Sequence, residues 1–178
     1  NLSVDKIIIQ DKNGDDEMFQ ASGHAFMVLR GFLSGLILFL SAGYVAQFFN
    51  VPDVIWAFQL LAVISVIKGF LHLDMARFQR DMNFLPVVLI EAVPQVVVLL
   101  LAAPLALWIQ NYAVVVWLIL AQAMMYVFMS HVLAKRKYII CWNKKNITKM
   151  YNFGWPLLIN GLLMFAILQG DKAIVGKA

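Results

Sequence analysis

Charge is scarce in this sequence. Asp, Glu, Lys and Arg make up 13% of its 178 residues against 62% hydrophobic, and the mean hydropathy is +0.80. Soluble domains carry about 25% charged residues, so the composition excludes one and indicates a membrane protein. Cysteine is nearly absent. A single Cys141 excludes an internal disulfide, and its neighbours offer no ligands with which it could hold a metal. Glycine never adopts the spacing of a phosphate loop or a dinucleotide fingerprint, and no nucleophile–base pair appears. Neither enzyme activity nor a metal or cofactor is therefore expected. The formal charge of +4 and pI near 9.3 would suit nucleic acid. The basic residues, however, sit where membrane topology alone would put them, so no nucleic-acid partner is expected.

What is abundant is hydrocarbon in long runs. A spanning helix needs about 20 mostly apolar residues, and five runs qualify, at about 27–49, 54–73, 85–109, 112–133 and 153–176. They predict an all-α fold, a polytopic transmembrane helix bundle, with no separate soluble domain. "NVPDV" stops the first run, because Asn50 and Pro52 disfavour further helix. Ahead of that run, "IIIQ" reads as the tail of a preceding helix and Asn13-Gly14-Asp15-Asp16 as a turn. The opening on Asn1 and the close at Ala178 within an apolar run are those expected of a fragment. Orientation follows from the loops. Residues 50–53 and 110–112 contain no Lys or Arg, whereas 74–84 contains Arg77 and Arg80, and 134–152 contains Lys135, Arg136, Lys137, Lys144, Lys145 and Lys149. Positively charged loops stay in the cytoplasm, so these two are expected inside and the first span runs outward. The sequon at Asn146 then lies inside and is read as chance.

A few residues do not belong in lipid. An ionisable group in a span faces a polar interior, finds a partner or snorkels to the interface. Arg30 shares a helical face with Ser34 and Ser41, beside a Gly31-x-x-x-Gly35 pattern that admits a second backbone. Lys68 and Glu91 lie at similar depth on neighbouring spans, which allows an ion pair without requiring one. Glutamate snorkels poorly, so Glu91 is expected to face the interior, next to a kink at Pro94. His72, at the end of the second run, is read as interfacial rather than as a ligand or relay. Asn160, Gln169 and Asp171 give the last run comparable polarity, although Asp171 and Lys172 can equally be interfacial.

Three stretches together resemble the oligosaccharide flippase branch of the polysaccharide transporter family, within the multidrug/oligosaccharidyl-lipid/polysaccharide exporter superfamily. They are "IIIQDKNGDDEMFQASGHAFMVLRGFLSG", "FQRDMNFLPVVLIEAVPQ" and "YNFGWPLLINGLLMFAILQGDKAIVGKA". The resemblance covers nearly the whole chain. It implies a two-lobe exporter fold, of which this chain would supply about helix two to helix seven. It also implies movement of undecaprenyl-pyrophosphate-linked oligosaccharide across the bacterial inner membrane, for O-antigen, capsule or exopolysaccharide, by alternating access. Polysaccharide assembly proteins are the partners it suggests, besides membrane lipid. Cationic side chains suit a pyrophosphate, which makes Arg30 and Lys68 the candidate substrate contacts, with Glu91 and Asp171 as ion-coupling or charge-partner residues. A drug/cation antiporter of the same superfamily, a membrane-embedded polysaccharide polymerase or ligase, and a scaffold subunit are the alternatives.

Overall fold

The computed structural model describes residues 4–175, apart from the side chains of 165, 166 and 169–175. Every regular element among the described residues is helical. In chain order they are α1 (Val4–Gln10), α2 (Glu17–Phe48), a 3-10 turn (Pro52–Val54), α3 (Ile55–Gly69), α4 (Asp74–Arg80), α5 (Phe84–Ile109), α6 (Ala113–Val132) and α7 (Lys144–Val175). Four segments are long and apolar enough to cross a membrane: Glu17–Phe48, Pro52–Gly69, Phe84–Ile109 and Ala113–Val132. The fifth expected span falls on α7, much of whose outer half lies outside the described side chains, Gln169 and Asp171 included.

Local chemistry sets the boundaries. Asp16 caps α2, its side chain accepting from the Met18 N–H at 3.1 Å. Asn143 does the same for α7, accepting from the N–H groups of Lys145 and Asn146. Pro86 falls in the first turn of α5, where a missing N–H costs nothing. Pro94 lies inside the helix and deprives the Ile90 carbonyl of its partner four residues on. Gln110, left-handed at φ 53°, ends α5 and starts the short turn into α6.

Three sequence boundaries need correction. The second span ends at Gly69 rather than 73, because the chain leaves the helix at Phe70 and the His72 N–H turns to the Ser130 hydroxyl. The inside loop 74–84 carries helix α4, whose Met75, Ala76 and Phe78 are buried. The loop 134–152 is half helix, since α7 begins at Lys144, about two turns before the expected span.

The long helices contact one another in the order α7, α2, α3, α6, α5, with α1 and α4 gathered at one end. The closest seam joins α2 and α3. A Cβ on Gly31 would lie 2.9 Å from the Gly69 Cα, and one on Gly35 would lie 3.0 Å from the Ala62 carbonyl oxygen. The glycine spacing read in the sequence thus serves the backbone contact expected of it. Elsewhere the row presents hydrocarbon outward: Ile37, Leu99 and Leu107 are 66%, 74% and 76% exposed. Faces of this kind need lipid or other apolar cover.

Among the described residues a water-type core lies at the end where the basic loops are. Ile8, Phe19, Leu73, Phe78, Ile90 and Met150 are all but inaccessible there. Helix α2 is long enough to reach it, since 32 residues span roughly 48 Å, well beyond a hydrocarbon thickness of about 30 Å.

The α2–α3 seam yields a direct test. Gly31→Ala meets backbone that cannot yield, so it should destabilise the full-length protein by about 1–3 kcal/mol. At Gly43 a Cβ meets nothing within 4 Å, and Gly43→Ala should be neutral or mildly stabilising. Thermal unfolding in detergent compares the two, and equal midpoints would contradict the packing.

Candidate functional site

Two polar constellations and one apolar groove stand out. The first is a recess of about 290 Å³ between the end of α3, the first half of α5 and the middle of α6. Lys68 and Leu71 line it from α3 and the residues that follow. Glu91, Pro94 and Gln95 come from α5, and Gln122, Ala123 and Tyr126 from α6. Their spacing explains the convergence: 91, 94 and 95 share one face of α5, as 122, 123 and 126 do of α6. Lys68 and Glu91 line the same recess as opposite charges. Among the described residues no ion pair within 4 Å joins them. The recess therefore gathers an ammonium and a carboxylate that make no ion pair within 4 Å among the described residues, two amides, and a phenol whose Oη lies 3.4 Å from the Met75 Sδ. These groups can hydrogen-bond a hydroxyl-rich or ionic solute from several sides.

Arg30 is placed apart from that recess. It lines a groove between α2 and α7, and also a small crevice shared with Leu71 and His72. Leu71 lines the crevice and the recess alike. Asp171 lies outside the described side chains.

The second constellation, at the basic end, was not legible as a site. Asp74 is fully buried. Its carboxylate accepts from the Gln20 amide at 3.1 Å, the Arg77 guanidinium at 3.0 Å, and the backbone N–H groups of Lys135 and Arg136 at 2.7 and 2.9 Å. Asp15 links Arg77 to Arg136, completing the network. Burial, the largest influence on Asp74, opposes its ionisation. The N–H of Arg136, the Gln20 amide, the N–H of Lys135 and the Arg77 charge outweigh it and hold the carboxyl below its usual range.

Beside this carboxylate all three histidines of the chain converge, packed around the Tyr138 ring. Each is engaged with backbone. His24 lies 2.9 Å from the Ile139 carbonyl through Nδ1 and accepts from the Leu73 N–H through Nε2. His72 accepts from the Asp74 N–H through Nδ1 and lies 3.1 Å from the Arg136 carbonyl through Nε2. His131 donates from Nε2 to the Phe70 carbonyl. A ring that donates with one nitrogen and accepts with the other is neutral, and it has no lone pair left for a metal. Among the described residues no His, Cys, Asp or Glu group could hold one. His72 is therefore neither interfacial nor a ligand. It is a buried peg that holds the 134–143 segment against the ends of α3 and α4. The sequence signal was slight: His72 and His131 at the ends of apolar runs that border basic loops, and His24 just ahead of the first run.

The chain matches, over residues 1–178, the family described as polysaccharide biosynthesis protein. It belongs to that family. No curated protein and no solved structure gives a significant match. Family membership assigns the chain a role in polysaccharide synthesis or export, and with four candidate spans it is a multi-pass membrane protein.

The polar network predicts an acid-sensitive basic end. The His72 imidazole is pushed down, chiefly by burial, although the Asp74 charge opposes this. Depressed values at both groups contribute stability that is present above the unfolded values, about 6.5 for His and 3.9 for Asp, and lost as pH falls. The melting temperature of the full-length protein in detergent should therefore drop below about pH 6.5, as His72 removes up to about 1.4 kcal/mol of stability per pH unit. His72→Gln should flatten that decline, and an unchanged midpoint from pH 7.5 to 5 would contradict it. Asp74→Asn, which turns a donor toward donors, should cost about 3–5 kcal/mol at neutral pH.

Proposed function

We propose that the chain is part of a transporter that moves undecaprenyl-pyrophosphate-linked oligosaccharide across the bacterial inner membrane by alternating access, its basic end in the cytoplasm. It is not an enzyme in this reading. One observation carries it: charged and amide side chains line a recess inside a row of helices that otherwise present hydrocarbon outward. Ionisable groups at such depth mark substrate or ion pathways, and the family supplies the polysaccharide context. Arg30 and Lys68 contact the pyrophosphate, and Glu91, with Asp171, serves as ion-coupling residue or charge partner. The short turns at the other end, 110–112 among them, leave little room there for the catalytic loop of a polymerase or ligase. The Glu91 carboxylate is the one feature that favours the runner-up, a drug/cation antiporter, because it would suit a cationic solute.

Vesicles containing the full-length protein separate the two readings. Lipid-linked oligosaccharide should cross, and a lipophilic cation should not. Arg30→Gln and Lys68→Gln should each slow transport about tenfold, as expected for loss of a charge-assisted hydrogen bond. Wild-type rates in both would remove the headgroup role. Glu91→Gln should keep protein yield and abolish dependence on a proton or sodium gradient. If it instead lowers yield and adding Lys68→Gln restores it, Glu91 is a structural partner. For the orientation, single cysteines in a Cys141-free protein should react with an impermeant reagent in intact cells at position 110 and be spared at 144.

A further inference from the structure

The recess between α3, α5 and α6 carries four polar side chains, Lys68, Glu91, Gln95 and Gln122, and among the described residues none of them makes a hydrogen bond or an ion pair. The basic end differs, since Gln20 there donates to Asp74 and accepts from Arg136. Polar groups in a span are ordinarily satisfied by neighbouring helices. Four left open on one wall are satisfied from outside the fold, by water or by a solute. The rest of the wall is apolar, with Leu71, Pro94, Ile119 and Ala123. Tyr126 adds to that part, because its hydroxyl donates to the Met75 Sδ and the ring is what remains for the recess.

Amides beside an aromatic ring complement a pyranose, whose hydroxyls donate and accept and whose C–H face suits the negative face of the ring. At about 290 Å³ the recess lies at the small end of ligand pockets, about 300–1,000 Å³, and has room for one sugar ring rather than a chain of them. We propose that it reads the sugar joined directly to the pyrophosphate, and that it selects a neutral or acetamido sugar over an acidic one. This rests on the transport reading above, in which Lys68 takes the pyrophosphate. Lys68 shares the recess with both amides, so the group that follows the phosphate meets Gln95, Gln122 and Tyr126. With Lys68 so engaged, Glu91 is the one charge left among the lining residues. A sugar hydroxyl or an acetamido N–H donates to that carboxylate. A uronic acid would instead set a second carboxylate against it at membrane depth, with no cation free to join them. Gln95 and Gln122 thus supply affinity, and Glu91 supplies rejection.

The test uses full-length protein in phosphatidylcholine nanodiscs. Radiolabelled polyprenyl pyrophosphate is displaced by unlabelled polyprenyl pyrophosphates that carry no sugar, a hexose, an N-acetylhexosamine or a hexuronic acid. The hexose and N-acetylhexosamine probes should displace at about tenfold lower concentration than the bare carrier, as expected for one or two added hydrogen bonds. The hexuronic acid probe should do no better than the bare carrier. In a Gln95→Leu/Gln122→Leu protein the ratio of hexose to bare affinity should fall to about one, and a ratio within one protein does not depend on how much of it folds. Glu91→Gln should admit the hexuronic acid probe. No sugar advantage in the wild type, or an advantage kept by the double variant, would overturn the proposal. Equal displacement by the hexuronic acid and hexose probes would overturn the selection. Transport of lipid-linked oligosaccharide without a sugar advantage sinks only this inference. A sugar advantage without transport sinks the broader reading and leaves the recess as a sugar site, and failure of the bare carrier to bind sinks both.

Discussion

The basic end of the molecule is organised around one carboxylate. Asp74 is excluded from solvent and accepts hydrogen bonds from α2, from α4 and from two successive backbone amides of the segment between α6 and α7. A buried charge is tolerable only when its lone pairs are filled, and here the donors tie the short helix α4 and the segment between α6 and α7 to the long helix α2. The backbone N–H of the same residue donates to His72, and His24 and His72 each bridge backbone to backbone. The packing of Phe19, Phe78 and Met150 follows from that anchoring.

The distribution of burial follows from the change of solvent along the helices. Where lipid is the solvent, a helix satisfies its own backbone and gains little by hiding apolar side chains, so the row of helices can stay open. Where water begins, the chain has to build a core, and it does so from short helices too small to stand alone. Polar groups at membrane depth are accordingly few, and they collect at the junctions between helices: Lys68 with Glu91 at one, Arg30 at another.

Much of the fold was legible because membrane spans are written in composition. The runs, the turns at Asn50 and Gln110 and the glycine seam all follow from local rules. The shared recess of Lys68 and Glu91 was legible as depth but not as direction. Gln122 and Tyr126 were overlooked, although Gln122, Tyr126 and Ser130 recur every fourth residue along α6. The histidine cluster lay beyond reach for a different reason. Its partners are backbone groups, all but the Asp74 N–H on segments 49 to 115 residues away, and backbone atoms leave no mark in a sequence pattern. Arg30 was grouped with Lys68 by charge and by the small or polar residues on its face, and neither carries information about which seam a residue faces.

The contact of Gly31 with Gly69 has a mechanical consequence. Two backbones that touch without intervening side chains leave no lubricating layer, and sliding either helix by one residue would drive a Cβ-bearing neighbour into the other's main chain. Helices α2 and α3 therefore form a single strut. Any rearrangement of this bundle has to hinge at its softer joints, and the nearest of these is the aromatic-lined seam with α7.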